Sequence, residues 1–128
     1  MAVNTAALLR IADMVDAIPD RQWEMLQFRE SKFDSACETI GCAIGHAVHQ
    51  PWANEEGFRL NSRLRAVFPG AQYEGFQPAS MCWLGLSELE WFLLFTPAGY
   101  LTEKISQNDV SKRIRGFVVA HEKERRKD

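Results

Sequence analysis

The apolar positions of this chain recur mostly three and four apart, the spacing that lines one side of an α-helix. Leu8, Ile11, Ala12, Val15 and Ile18 keep that spacing over residues 5–18. Asn4 or Thr5 can cap the first turn with a side-chain oxygen, and Pro19 stops the helix. Residues 20–28, with Trp23, Met25, Leu26 and Phe28, satisfy neither the helical period nor strand alternation. Residues 36–49 predict a second helix, ended by Pro51. Gly41 and Gly45 lie inside it, and each costs a helix about 1 kcal/mol relative to Ala. A pair of glycines at that spacing points to another helix passing close over a groove without side chains.

Residues 55–68 predict a third helix. Asn54 would cap it, Glu55 and Glu56 suit its positive end, and Leu60, Leu64, Val67 and Phe68 form its stripe. Residues 69–82 read as a loop long enough to hold a binding surface or a short element. Ser87 and Glu90 form a capping box that opens a helix reaching about Phe95. Leu86, Leu89, Phe92 and Leu93 are expected to face the core, with Trp91 and Phe95 on another side. A helix apolar nearly all round is either central to the fold, the preferred reading, or turns Trp91 and Phe95 toward a partner. A last helix runs from Asn108 or Asp109 to about Arg126 on Val110, Ile114, Phe117, Val118 and His121. No segment alternates cleanly and no hairpin signal is present. The expected fold is all-α: a small single-domain bundle or orthogonal array of about five helices over residues 1–128, with the last few residues frayed.

Composition narrows the function classes. A chain of 128 residues buries roughly two-thirds of its unfolded surface and needs no disulfide to hold a core. At 46% hydrophobic and 25% charged it is not of a disordered class. A formal charge of -2 argues against a protein that coats nucleic acid, whose affinity comes largely from neutralised phosphates. Arg10, Asp13 and Asp16 interrupt the first apolar stretch, so no signal peptide is expected. The longest apolar run, Trp91 to Phe95, is far too short for a membrane span. Three cysteines do not make a secreted disulfide framework, so a cytoplasmic protein with reduced thiols is expected.

The densest chemistry is the run from Cys37 to His49. On a helix Cys42, His46 and His49 share a face, and Cys37 near its start could fold back toward them. Thiolate and imidazole are zinc ligands, which makes Cys37, Cys42, His46 and His49 the metal candidates. The spacing is not that of a structural finger, and three ligands along one helix spread over roughly 10 Å of rise. The contrary reading makes the two cysteines small buried hydrophobes, and no cofactor is then expected. A thiol nucleophile at Cys37 with His46 or His49 as base has no recognisable orienting residue. No catalytic residue is assigned.

Charge is uneven. Residues 109–128 hold seven basic and four acidic side chains, leaving +3 there and -5 on residues 1–108. Lys112, Arg113, Arg115, Lys123, Arg125 and Arg126 are the candidates for nucleic-acid contact; their alternative is a solvated helix face.

The segment from Cys37 to Ala47 resembles a group of small helical bacterial and phage proteins of uncharacterised function. They share a Cys-Gly-Thr-x-x-Cys-x-x-Gly-Trp/His-Ala segment, preceded by a short helix and a Pro turn like Ile18-Pro19. A Leu-Gly-Leu segment and a Leu-Phe pair follow, similar to Leu84-Gly85-Leu86 and Leu94-Phe95. Glu38 stands where that group has Gly. The resemblance implies a phage, prophage or other mobile-element setting and no particular reaction. Three functions are therefore expected in order. The first is a small non-enzymatic protein that binds a protein partner or itself through Trp83, Trp91 and Phe95. The second is a metal- or thiol-dependent protein using Cys37, Cys42 and His46. The third is nucleic-acid binding through the basic C-terminal helix.

Overall fold

The computed structural model describes residues 3–18, 43–95 and 106–127, with side chains through Glu124. Among them lie α1 (Thr5–Ala17), α2 (Ala43–Ala47), α3 (Pro51–Glu55), β1 (Arg59–Leu60), β2 (Ala66–Val67), α4 (Phe76–Leu84), α5 (Glu88–Phe95) and α6 (Gln107–Lys127). The protein is mostly helical, with one two-stranded antiparallel sheet that pairs Arg59 with Val67 and Leu60 with Ala66. The expected helical character is found among the described residues, together with this short sheet, for which no segment alternated.

α1 forms where its spacing places it. The Asn4 side chain accepts a hydrogen bond from the Ala7 N–H at 3.2 Å, satisfying one of the orphan donors of the first turn. The Asn4 N–H also donates to the Leu84 carbonyl at 2.9 Å, tying the start of α1 to the end of α4. Leu8, Ile11, Ala12 and Val15 are buried. α6 lies antiparallel against this stripe. The Gln107 amide donates to the Ile18 carbonyl at 2.9 Å, and farther along α6 Arg115 reaches back to Asp13 and Asp16. Val110, Ile114 and Val118 complete the contact, inside one buried cluster that also takes in α2, α4 and α5. α6 opens on a box like that of α5. The Ser106 N–H donates to Asp109 at 2.9 Å, and the Asp109 N–H donates to the Ser106 hydroxyl at 3.1 Å.

The helix expected over residues 55–68 does not form. α3 ends at Glu55, and Gly57 takes φ +108, a left-handed conformation that stops a helix. A Cβ at Gly57 would stand 2.7 Å from Pro69 Cδ, so the chain comes too close there for any side chain. Asn54 does not cap a following helix. Its amide bridges the Val48 and Phe58 carbonyls, both at 2.9 Å, across both ends of α3. The hairpin turns on Asn61, whose side-chain oxygen accepts from the Arg63 N–H at 2.9 Å and the Arg65 N–H at 3.0 Å. The stripe breaks up accordingly: Leu60 is half-buried, and Leu64 is 60% exposed at φ 59.

The expected loop over residues 69–82 contains most of α4. Gly75 precedes it at φ 125, and Gly85 ends it in the left-handed conformation. Pro78 sits in the first turn, where no N–H is required. Of the expected helix over residues 36–49, α2 covers Ala43–Ala47; Gly45 there is buried, and Gly41 lies outside the described residues.

Candidate functional site

α5 shows which of the aromatic candidates can meet a partner. Ser87 and Glu90 form the expected capping box: the Ser87 N–H donates to Glu90 at 2.8 Å, and the Glu90 N–H to the Ser87 hydroxyl at 3.2 Å. The helix then turns Trp91, Leu94 and Phe95 inward, at 1%, 2% and 1% exposure. The Trp91 indole N–H donates to the buried Ser80 hydroxyl at 2.7 Å, and Ser80 in turn donates to the Phe76 carbonyl. Phe95 packs on Trp91 with ring centroids 6.0 Å apart. Trp83 is buried as well. Its ring stacks on Phe58 at 4.7 Å, and its N–H donates to Glu56 at 3.0 Å. Trp83, Trp91 and Phe95 are core and cannot serve as surface contacts.

The opposite face of α5 is the apolar one in water. Leu89, Phe92 and Leu93 lie three and four apart and are 68%, 44% and 42% exposed. This reverses the expected orientation, in which these three faced the core. The cause is visible in the partners. A helix apolar on both sides is oriented by whichever face has specific partners, and Ser80 gives the buried indole N–H an acceptor that Leu89 and Leu93 cannot use.

Of the metal candidates, Cys37 and Cys42 lie outside the described residues. His46 is half-buried on α2, and His49 is exposed beyond its end. His46 borders a concavity of about 540 Å³ with Arg10, Asp13, Met14, Gln50 and Trp52. The Arg10 guanidinium lies 5.6 Å from the centre of the Trp52 ring there. Among the described residues no three metal-ligating side chains gather. Cys82 lines a different groove, of about 640 Å³, between the Gly70–Tyr73 loop and the α4–α5 corner.

On α6 the basic residues serve separate ends. Lys112 and Lys123 are exposed, and Arg113 is half-buried. Arg115 bonds Asp13 at 2.7 Å and Asp16 at 2.9 Å, which joins α6 to α1. Hydrogen bonds to Asp13 and then Asp16 raise the affinity of Arg115 for its proton. A hydrogen bond from Ser111, and then Arg115, holds the Asp16 carboxyl below its ordinary range against the opposing effect of burial. The side chains of Arg125 and Arg126 lie outside the described residues.

Comparison of the chain with known protein families, with curated proteins and with solved structures finds no match.

One exposed feature had no signal in the periodicity. The hairpin tip carries Arg63, Leu64 and Arg65 into solvent, with Arg63 held to Glu74 at 2.6 Å. Leu64 read as a core leucine because its spacing from Leu60 and Phe68 is helical. The Asn61-Ser62 pair was the local sign of a turn.

Proposed function

We propose that this chain is a small non-enzymatic protein that works by contact with another protein surface, and that the outer face of α5 is the contact. The observation that carries this is the run of Leu89, Phe92 and Leu93 at 68%, 44% and 42% exposure on one side of a single helix. Scattered surface leucines need no explanation, but adjoining large apolar side chains on one helical face favour a protein interface. The face has a rigid base. Trp91, Leu94 and Phe95 anchor the same helix, so a partner would meet a preorganised surface. Among the described residues, Cys82 and His46 border different cavities and do not form a thiol–imidazole pair. The pairing of Arg115 with two aspartates weighs against a continuous phosphate-binding stripe on α6. We assign the protein to the cytoplasm, where a chain with three cysteines outside a disulfide framework stays reduced. No helix among the described residues is long and apolar enough to cross a membrane. A phage or prophage setting, implied by the Cys37–Ala47 segment, belongs to the same proposal.

The test is a photo-reactive phenylalanine analogue placed at position 89 or 93, with position 55 as an exposed control, and irradiation in the host cell. Discrete protein adducts from positions 89 and 93, absent from position 55, are expected. Equal labelling from all three positions, or none from any, would overturn the interface reading.

A further inference from the structure

Two short exposed segments of this chain are charge opposites of each other. The hairpin tip reads Arg63-Leu64-Arg65, and the start of α5 reads Glu88-Leu89-Glu90. Each places a leucine in water between two like charges. Leu64 and Leu89 are 60% and 68% exposed. Leu64 bears a second local cost, because φ 59 is a conformation that suits glycine or asparagine. Asn61 fixes the turn that imposes this conformation, and the turn leaves the Leu64 side chain in solvent.

The charges that remain also match. Arg63 is held by Glu74, and Glu90 is held by the Ser87 N–H. That leaves Arg65 on the hairpin and Glu88 on the helix, both exposed, with no ion pair among the described residues. Arg59 adds a further exposed positive charge at the base of the hairpin. The two segments stand at opposite ends of α4. The hairpin joins its N-terminal end through the Gly75 N–H to the Ala66 carbonyl at 2.8 Å, and α5 follows its C-terminal end after Gly85. Nine residues of helix separate those ends by roughly 13 Å.

We propose that the partner is a second copy of this chain, docked head to tail. The Arg63-Leu64-Arg65 tip of one copy seats against the Glu88-Leu89-Glu90 turn of the next. The two leucines bury each other, and Arg65 of one copy pairs with Glu88 of the other. Leu93 and Phe92, on the same face as Leu89, extend the apolar floor. This deepens the interaction reading above by naming its partner. Because the two surfaces differ, the contact is heterologous and either closes into a ring or runs on as a chain. Two such tips bury less than the roughly 1,600 Å² of a standard stable interface, so the association is weak and concentration-dependent. Part of it is electrostatic, and it weakens as salt rises.

Sedimentation equilibrium of the full chain tests this, with Arg65→Glu, Glu88→Arg, Leu64→Gly and an equimolar mixture of the two charge-reversal variants. All three positions are exposed, and circular dichroism of each variant checks that it stays folded. The wild-type mass is expected to rise above 14.6 kDa with concentration, and less so at high salt. Either reversal alone should weaken association by about tenfold, because like charges then face each other. Mixing the two variants should restore it, because each then offers the other a complementary tip. Leu64→Gly should weaken association while leaving the fold intact. A wild type that stays monomeric up to about 1 mM, a Kd of about 1 mM being already very weak, overturns the proposal. So does association that the reversals leave unchanged, or a mixture that fails to recover. In these cases protein adducts from position 89 that contain a different chain still uphold the interface. Absence of any adduct removes both readings.

Discussion

Replacing Trp91 and Leu89, two neighbours on α5, by alanine separates the two faces of that helix. Trp91 is 1% exposed, packs on Phe95 and donates its N–H to Ser80 at 2.7 Å. Trp91→Ala removes one of the largest side chains of the core and leaves a cavity that neighbouring rings refill only in part. Such truncations cost about 3–5 kcal/mol. A domain of this length loses roughly 3–5 °C of Tm per kcal/mol, so the change should lower Tm by on the order of 15 °C. Leu89 is 68% exposed, and most of what Leu89→Ala deletes is already in water. Surface substitutions of this kind stay within about 0.5 kcal/mol. Urea unfolding followed by far-UV circular dichroism checks both, at protein concentrations low enough to keep the chain monomeric so that association adds nothing. The midpoint should fall for Trp91→Ala at constant m-value and stay put for Leu89→Ala. A cost below about 1 kcal/mol for Trp91→Ala, or above about 1.5 kcal/mol for Leu89→Ala, would mean that α5 is rotated from the orientation described, and would remove the basis of the interface.

Other outcomes follow from single positions. Leu64→Gly relieves a left-handed leucine and should raise stability by up to about 1 kcal/mol in thermal unfolding, even as it weakens self-association. Gly116→Ala should stabilise α6 by roughly 1 kcal/mol, since a Cβ there meets nothing within 4 Å and alanine is the better helix former. Asn54→Ala breaks two bonds that tie α3 to the turns on either side, and should cost about 1–2 kcal/mol by urea denaturation. Asp16 is held below its ordinary range in the folded state, so its contribution is present above roughly pH 4 and is lost as pH falls through its lowered value. Arg115→Met should make the acid side of the stability profile shallower, and by little, because both partners of the pair are about 40% exposed.

Much of the helical skeleton was legible along the chain. α1, α5 and α6 combine a periodic stripe with a side-chain cap, two signals that agree, and each was anticipated to within a few residues of its observed ends. The apolar residues from Asn54 to Phe68 fall at helical spacing, although the segment forms the end of α3 and a hairpin. Spacing alone does not weigh Gly57, whose backbone must pass Pro69, or Asn61, whose side chain offers the chain a turn in place of a helix. α4 was hidden because its bounding signals, Gly75, Pro78 and Gly85, also read as loop composition. Of the site residues, Trp91 and Phe95 fit either a core or a partner role by spacing, Trp83 is expected at a partner and is buried, and the spacing of Leu64 points to the core although it is exposed.

What the amino-acid sequence determined by itself is local: where caps and stripes start and stop helices, and where charge is concentrated. Those properties depend on neighbours three or four residues away, and each can be evaluated from a short window. What only the tertiary structure decided is which way an ambiguous face turns. α5 carries apolar residues on both sides, and its own sequence has no means of ranking them. The choice came from Ser80, eleven residues earlier, whose hydroxyl accepts the Trp91 N–H inside the core. Trp91, Leu94 and Phe95 make the larger apolar face, and Ser80 lets the one polar group on it be buried without losing a hydrogen bond, so that face went inward and Leu89, Phe92 and Leu93 were left on the surface.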